Sequence, residues 1–367
     1  MLDLNVHALY VLPRMSPVVL VGTKKGLFLL RGDDARTSWE VEGPQLKGWQ
    51  VFHAIRDPRD GTLHAAANNW VYGATAQRST DEGKTWERSE GLGLPEDSEL
   101  KLTEAWHVEP GHASEPDTLF LGGAPGVLFR TDDGGTTWEV NRALLEHPTR
   151  ERWQPGAGGL CCHSIQVDPT DAKRMVIAIS AAGAFVSEDG GESWTSRNTG
   201  VAADFMPDDK YPEVGQCVHK LLLHPARPER FWQQNHCGVY RSDDRAETWE
   251  RLDGNGLPSD FGFGLALDPA DPDAAWVVPE EGAENRVTPD ARLGVYRTRD
   301  AGASWQLLEN GLPSPAWAAV LREGMTYDDR SIAVGTQSGS VFVTSDGGES
   351  WIEAASQLPP VLSVELA

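Results

Sequence analysis

The sequence predicts an all-β fold, a seven-bladed β-propeller of four-stranded blades, and three observations carry that prediction. The first is a box: seven of the 14 Trp stand five positions after an Asp, each with Ser or Thr immediately before it. The pairs are Asp34/Trp39, Asp81/Trp86, Asp133/Trp138, Asp189/Trp194, Asp244/Trp249, Asp300/Trp305 and Asp346/Trp351. The second is the interval between successive Trp, which is 47, 52, 56, 55, 56 and 46 residues. The third is a fixed series of short β-rich stretches ahead of each box. Four-stranded units of about 40–50 residues, repeated four to eight times, close into a propeller.

Each strand of the unit has its own signal. An inner strand runs into a turn at Asp-Pro or its equivalent: HAIRDP, WHVEP, SIQVDP, LLLHP, LALDP. A second strand follows, as in TLFLGG, MVIAIS or SIAVGT, and then a third, as in GVLFR, GAFVS or GVYRS. The box makes the next turn. Its Asp accepts hydrogen bonds from amides of its own turn, and a Gly two residues on supplies a positive φ. The box Trp then opens the outer strand. The first unit begins at its second strand, VVLVGT, and lacks an Asp-Pro strand of its own. The last residues, VLSVELA, read as that missing strand, so the C-terminus pairs into blade 1 and leaves no open sheet edge there. The expected organisation is an N-terminal extension over residues 1–17 and one propeller over residues 18–367.

Composition agrees and narrows function. A chain of 367 residues exceeds the roughly 250–300 that one core organises, unless repeats supply many small cores. With 38 Gly and 24 Pro, long helices are disfavoured. Lys+Arg 32 against Asp+Glu 55 gives a net charge of −23, which repels phosphate backbones and anionic lipid surfaces. Neither nucleic acid nor a membrane is an expected partner, and no window has the 18 or so apolar residues of a membrane span. The start, MLDLNVHALYVLPRMSP, carries Asp3 and His7 and lacks a basic opening or small-residue cleavage site, so it does not read as a signal peptide. Met15 is an alternative start. Four Cys (Cys161, Cys162, Cys217, Cys237) do not make a disulfide framework, and a cytoplasmic location is expected.

The boxes resemble the BNR, or Asp-box, repeats of the sialidase superfamily, which also occur in xyloglucanase-type glycosidases, sortilin-type receptors and the photosystem II assembly factor. The resemblance runs from about Val18 to Ala367 and implies the propeller; it does not imply one function. A sialidase would add an Arg-Ile-Pro motif and a Tyr–Glu nucleophile pair. This sequence has no Arg-Ile-Pro, and Tyr240 and Tyr296, two of its six Tyr, fall in third strands, so sialidase activity is not expected. The xyloglucanases of this type hold substrate between two propellers, each giving an Asp, and this chain supplies one.

Candidate sites lie on the face opposite the Asp turns, where loops lead into inner strands and join second to third strands. Trp49, Trp106 and Trp317 lie on or just before inner strands, Trp153 in a leading loop and Trp70 in a second-to-third loop. Their rings either stack on a flat ligand or plug the channel between blades. Aligning inner strands on Asp-Pro puts Glu104, His163 and His219 at one height on blades 3, 4 and 5, with His53 one residue out of register. These three are the candidate catalytic or metal-binding set, and a divalent metal is the one cofactor they suggest; none is required. Lys220 and His236 lie nearby, and a charged second-to-third loop in blade 6 adds Glu280 and Arg286. Three functions compete. One is a binding or assembly scaffold for a small molecule, saccharide or protein. The second is a glycoside hydrolase pairing Glu104 with Glu280, Glu281 or Asp260. The third is a metalloprotein.

Overall fold

In the computed structural model, which describes residues 16–252 and 254–367, the chain forms seven four-stranded antiparallel sheets. The start at Met1 or Met15, and most of the expected N-terminal extension, lie outside the described residues. Blade 5 shows the common plan: inner strand Val218–Leu223, second Phe231–Asn235, third Gly238–Ser242 and a two-residue outer strand, Glu250–Arg251. The seven inner strands pack in a closed ring, each against the next. Closure is the one the sequence predicts. The C-terminal strand Val361–Leu366 pairs antiparallel with Val18–Thr23, with Val21 opposite Val364.

No single core holds the ring. Seven apolar clusters lie one between each pair of neighbouring blades, such as Trp232, Val239, Leu265, Val277 and Trp305 between blades 5 and 6. Box Trp residues also tie their blade to the one before it. The Trp249 indole N–H donates to the Arg197 carbonyl at 3.0 Å, and that of Trp305 to the Leu252 carbonyl at 3.2 Å.

The Asp turns are built alike. At Asp189, Oδ1 accepts from the Ser187 hydroxyl (2.8 Å) and the Ser193 amide (2.9 Å), while Oδ2 accepts from the Ser193 hydroxyl (2.6 Å). Blade 1 corrects the sequence reading: Asp33, not Asp34, takes this place, accepting from the Thr37 amide at 2.7 Å and the Thr37 hydroxyl at 3.0 Å. One extra residue in that turn separates Asp33 from Trp39 and hides it from a fixed spacing. Hydrogen bonds from the turns hold the carboxyls of Asp81, Asp133 and Asp189 down to about 2 from an ordinary 3.8. A depressed folded pKa stabilises above the unfolded value and ceases to do so as pH falls through the folded one. Acid unfolding followed by Trp near-ultraviolet dichroism should therefore develop between pH about 4 and 2. Asp189→Asn should lower stability at neutral pH and flatten its pH dependence across that window.

Candidate functional site

Inner strands descend from the loop face to the face of the Asp turns, and those of blades 1 to 6 each carry a β-bulge. The bulged residues are Leu362, Phe52, Trp106, His163, His219 and Phe263. A bulge re-aims side chains and breaks simple alternation. Blade 3 is also misaligned by its Glu-Pro pair. Its turn residue is Gly111, whose amide bonds the Thr118 carbonyl as Asp168 bonds that of Arg174. The level of His163 and His219 is thus occupied on blade 3 by Trp106, and Glu104 stands two residues nearer the loop face.

This corrects the predicted Glu104–His163–His219 set. His163 is fully buried and both its ring nitrogens are engaged, one with the Ser164 hydroxyl at 3.0 Å and the other with the Val218 carbonyl at 2.9 Å. It is a stitch between blades 4 and 5, and burial holds its pKa well below 6.5. His53 and His219 make the same kind of stitch, to the Val108 carbonyl (3.1 Å) and the Gly262 carbonyl (2.7 Å). Glu104 accepts from the Trp106 indole N–H at 3.1 Å.

The channel centre belongs to two residues that the sequence reading missed, Arg322 and Glu323. The Arg322 guanidinium lies 5.0 Å from the Phe263 ring and 5.8 Å from that of Trp106, and donates to the Ser180 hydroxyl at 3.2 Å. Only a void of about 50 Å³, bordered by Phe52, Trp106 and Leu362, remains beside it. Glu323 is 4 % exposed and accepts from the Lys220 ammonium, with His107 Nδ1 at 3.2 Å and His53 Nε2 at 3.9 Å. His107 Nε2 meets Glu109 at 3.1 Å. Burial alone would lower the His107 pKa, but the Glu323 charge and its two carboxylate partners raise it to about 9. Beyond this cluster a cavity of about 480 Å³, lined by His53, His107, Glu109, Lys220, Tyr327 and Glu365, reaches the prolines of the Asp-Pro turns.

Other candidates divide by burial. Trp153 is buried among blade 3 and 4 side chains, against Phe185 and His147, so it is a core residue and no ligand platform. Glu280 is also fully buried, accepting from the Val320 amide at 3.1 Å; burial pushes its carboxyl up to about 7. Neither Glu280, Lys220 nor His53 meets solvent on the loop face as predicted. Trp70 is 93% exposed and Trp317 69%. Trp49 stacks on Tyr72 with ring centres 5.8 Å apart, and the exposed Arg286 lies 5.5 Å from the Phe263 ring. His236 is partly exposed and packs edge-on to Phe205 and Phe261.

No protein-family model matches the chain. The oligoxyloglucan-reducing end-specific xyloglucanase of Emericella nidulans is 23% identical over 279 residues, 65% of this chain and 31% of that protein. The chain thus spans less than a third of that relative. Among solved structures, the GH74 xyloglucanase from Xanthomonas campestris superposes with a TM-score of 0.64 at 16% identity, covering 94% of this chain and 53% of that one. YCF48 bound to D1 peptide superposes with a TM-score of 0.51 at 15% identity, covering 82% and 84%. The chain is a seven-bladed propeller resembling both.

Proposed function

We propose that this propeller is a binding scaffold that takes its partner, a peptide segment or a saccharide, on the loop face. One observation carries the reading. Of nine exposed large apolar side chains among the described residues, all but Val41 lie in loops of that face: Trp70, Val71, Tyr72, Leu100, Phe205, Met206, Tyr211 and Trp317. Exposed aromatic groups concentrated on one face mark interaction surfaces, since water gains by their burial. Both resemblances support it, one solved structure holding a peptide and the other being named for a saccharide. Trp70→Ala with Trp317→Ala should abolish capture from an immobilised peptide library or xyloglucan oligosaccharides while leaving the thermal midpoint unchanged. Capture undiminished in the double variant would remove the loop face from consideration.

A glycosidase reading draws on the xyloglucanase resemblance and on the Glu280 carboxyl, which burial raises to about 7 as a general acid requires but which a substrate would first have to uncover. Glu104 would be its partner. A panel of aryl glycosides tests it: turnover must appear in the intact protein and vanish in Glu104→Gln.

A further inference from the structure

Among the described residues, two clusters bring three metal-ligand donors within 4.8 Å of one another: His53 with His107 and Glu323, and Cys217 with His219 and His236. The first is filled by its own chemistry. Glu323 is paired with the Lys220 ammonium, and His107 has a carboxylate on each ring nitrogen. A cation entering there would meet a buried cation already in place.

The second cluster holds no carboxylate already paired with an ammonium, and we propose that Cys217, His219 and His236 form a binding site for a d10 transition-metal ion of the Zn(II) class. The donors are one free thiol and two imidazoles with no carboxylate, a set that suits borderline-soft ions and not Mg(II) or Ca(II). His219 is oriented as a ligand: Nδ1 donates to the Gly262 carbonyl at 2.7 Å, which leaves the Nε2 lone pair facing the Cys217 sulfur at 3.6 Å. A tetrahedral ion about 2.3 Å from sulfur and about 2.05 Å from nitrogen sets those two atoms about 3.6 Å apart. The His236 amide donates to the Cys217 carbonyl at 2.9 Å, so backbone bonding alone fixes the third ligand beside the first. Phe205, Phe261 and Phe263 pack around both imidazoles, an apolar shell that limits water at a metal.

The repeat supplies an internal comparison. The backbone bond from His236 to Cys217 recurs from Ser180 to Cys161 in blade 4 and from Glu280 to Phe261 in blade 6. The positions of Cys217, His219 and His236 thus hold Cys161, His163 and Ser180 in one neighbour and Phe261, Phe263 and Glu280 in the other. The fold accepts all three sets, so packing does not demand the Cys/His/His combination. Cys217 and His236 are partly exposed, which gives an ion a way in, and three protein donors leave a fourth position for water or a ligand.

The test uses the full chain without a histidine tag, stripped of metal and titrated with Zn(II), then with Co(II) as a spectroscopic substitute. Expected are about one equivalent of Zn(II) per chain and a thiolate-to-cobalt charge-transfer band with tetrahedral d–d intensity. Because His219 is a blade stitch, the informative variants are the partly exposed ones. Cys217→Ser should remove the charge-transfer band, and Cys217→Ser and His236→Gln should each weaken Zn(II) binding by about tenfold or more, with the fold intact by circular dichroism. Less than about a tenth of an equivalent in the intact protein, or unchanged binding in Cys217→Ser, would overturn the proposal.

Discussion

Glu323→Gln should destabilise the propeller by about 3–5 kcal/mol. The carboxylate is the one anion shared by Lys220 and His107, with His53 beside them, all buried in the channel. A neutral amide leaves the ammonium without its counter-charge in a place that water reaches poorly, and the cost is that of a buried unpaired ion. Urea unfolding measures the loss. Replacing both partners, Lys220→Met with Glu323→Leu, should recover most of it, because an apolar pair has no charge to desolvate. If the double variant is as weak as the sum of the singles, the ion pair is not the source.

The pH dependence of the same cluster has two flanks. Burial would raise the Glu323 carboxyl, but Lys220, then His107 and His53, hold it well below 4.5, so its stabilisation is present above 4.5 and fades as pH falls. His107 is raised from 6.5 to about 9, so its share is full below 6.5 and is lost as pH climbs through about 9. Stability of the intact protein should decline from pH about 6.5 to 9, and Glu323→Gln should abolish most of that slope.

The fold was legible because a box with a Trp in it repeats seven times, and an Asp, a hydroxyl and a Trp at fixed spacing tolerate little drift. The channel was not, for reasons that particular residues show. Alternation predicts which side of a strand faces inward, but a bulge in each of six inner strands cancels that rule at the level where the site chemistry sits. On blade 3 the Glu109-Pro110 pair imitates Asp-Pro while the turn is made at Gly111, which displaced Glu104 into false register with His163. Blade 7 offers no Asp-Pro at all. Its turn is made by Asp328, whose amide bonds the Ser331 carbonyl, and counting five residues back from Asp328 reaches Glu323. That count sets Glu323 level with His163 and His219, whereas its partners Lys220, His107 and His53 lie one residue further along their strands. Of the two predicted imidazoles only His219 keeps a ring nitrogen for a metal, because in blade 5 the neighbouring side chain is Lys220 where blade 4 has Ser164 to occupy the second nitrogen. His236 was in view as a neighbour, but the backbone bond that pairs it with Cys217 joins a turn to a strand start and leaves no mark in spacing.

Gly311→Ala should cost about 3–5 kcal/mol, although the change is one methyl group. Gly311 has φ +91°, and a Cβ there would lie 2.1 Å from the Trp351 carbonyl oxygen. That oxygen cannot withdraw freely, since the Trp351 amide donates to the Asn310 carbonyl at 2.9 Å and so clamps blade 6 to the box of blade 7. The same clamp recurs at Gly91, Gly200 and Gly256, each packed on the carbonyl of the next blade's box Trp, with Glu90, Thr199 and Asn255 accepting the Trp amide. Two costs therefore add at Gly311: a left-handed backbone for an L side chain, about 1 kcal/mol, and displacement of an inter-blade hydrogen bond with the packing around it. Gly134 separates them. It has φ +68° but nothing within 4 Å of a would-be Cβ, so Gly134→Ala should lose only about 1 kcal/mol. Urea midpoints of the two variants side by side decide the matter. Equal losses would mean that backbone conformation alone explains the glycine, and a threefold larger loss at Gly311 would locate the strength of the ring in blade-to-blade clamps as well as in its apolar clusters.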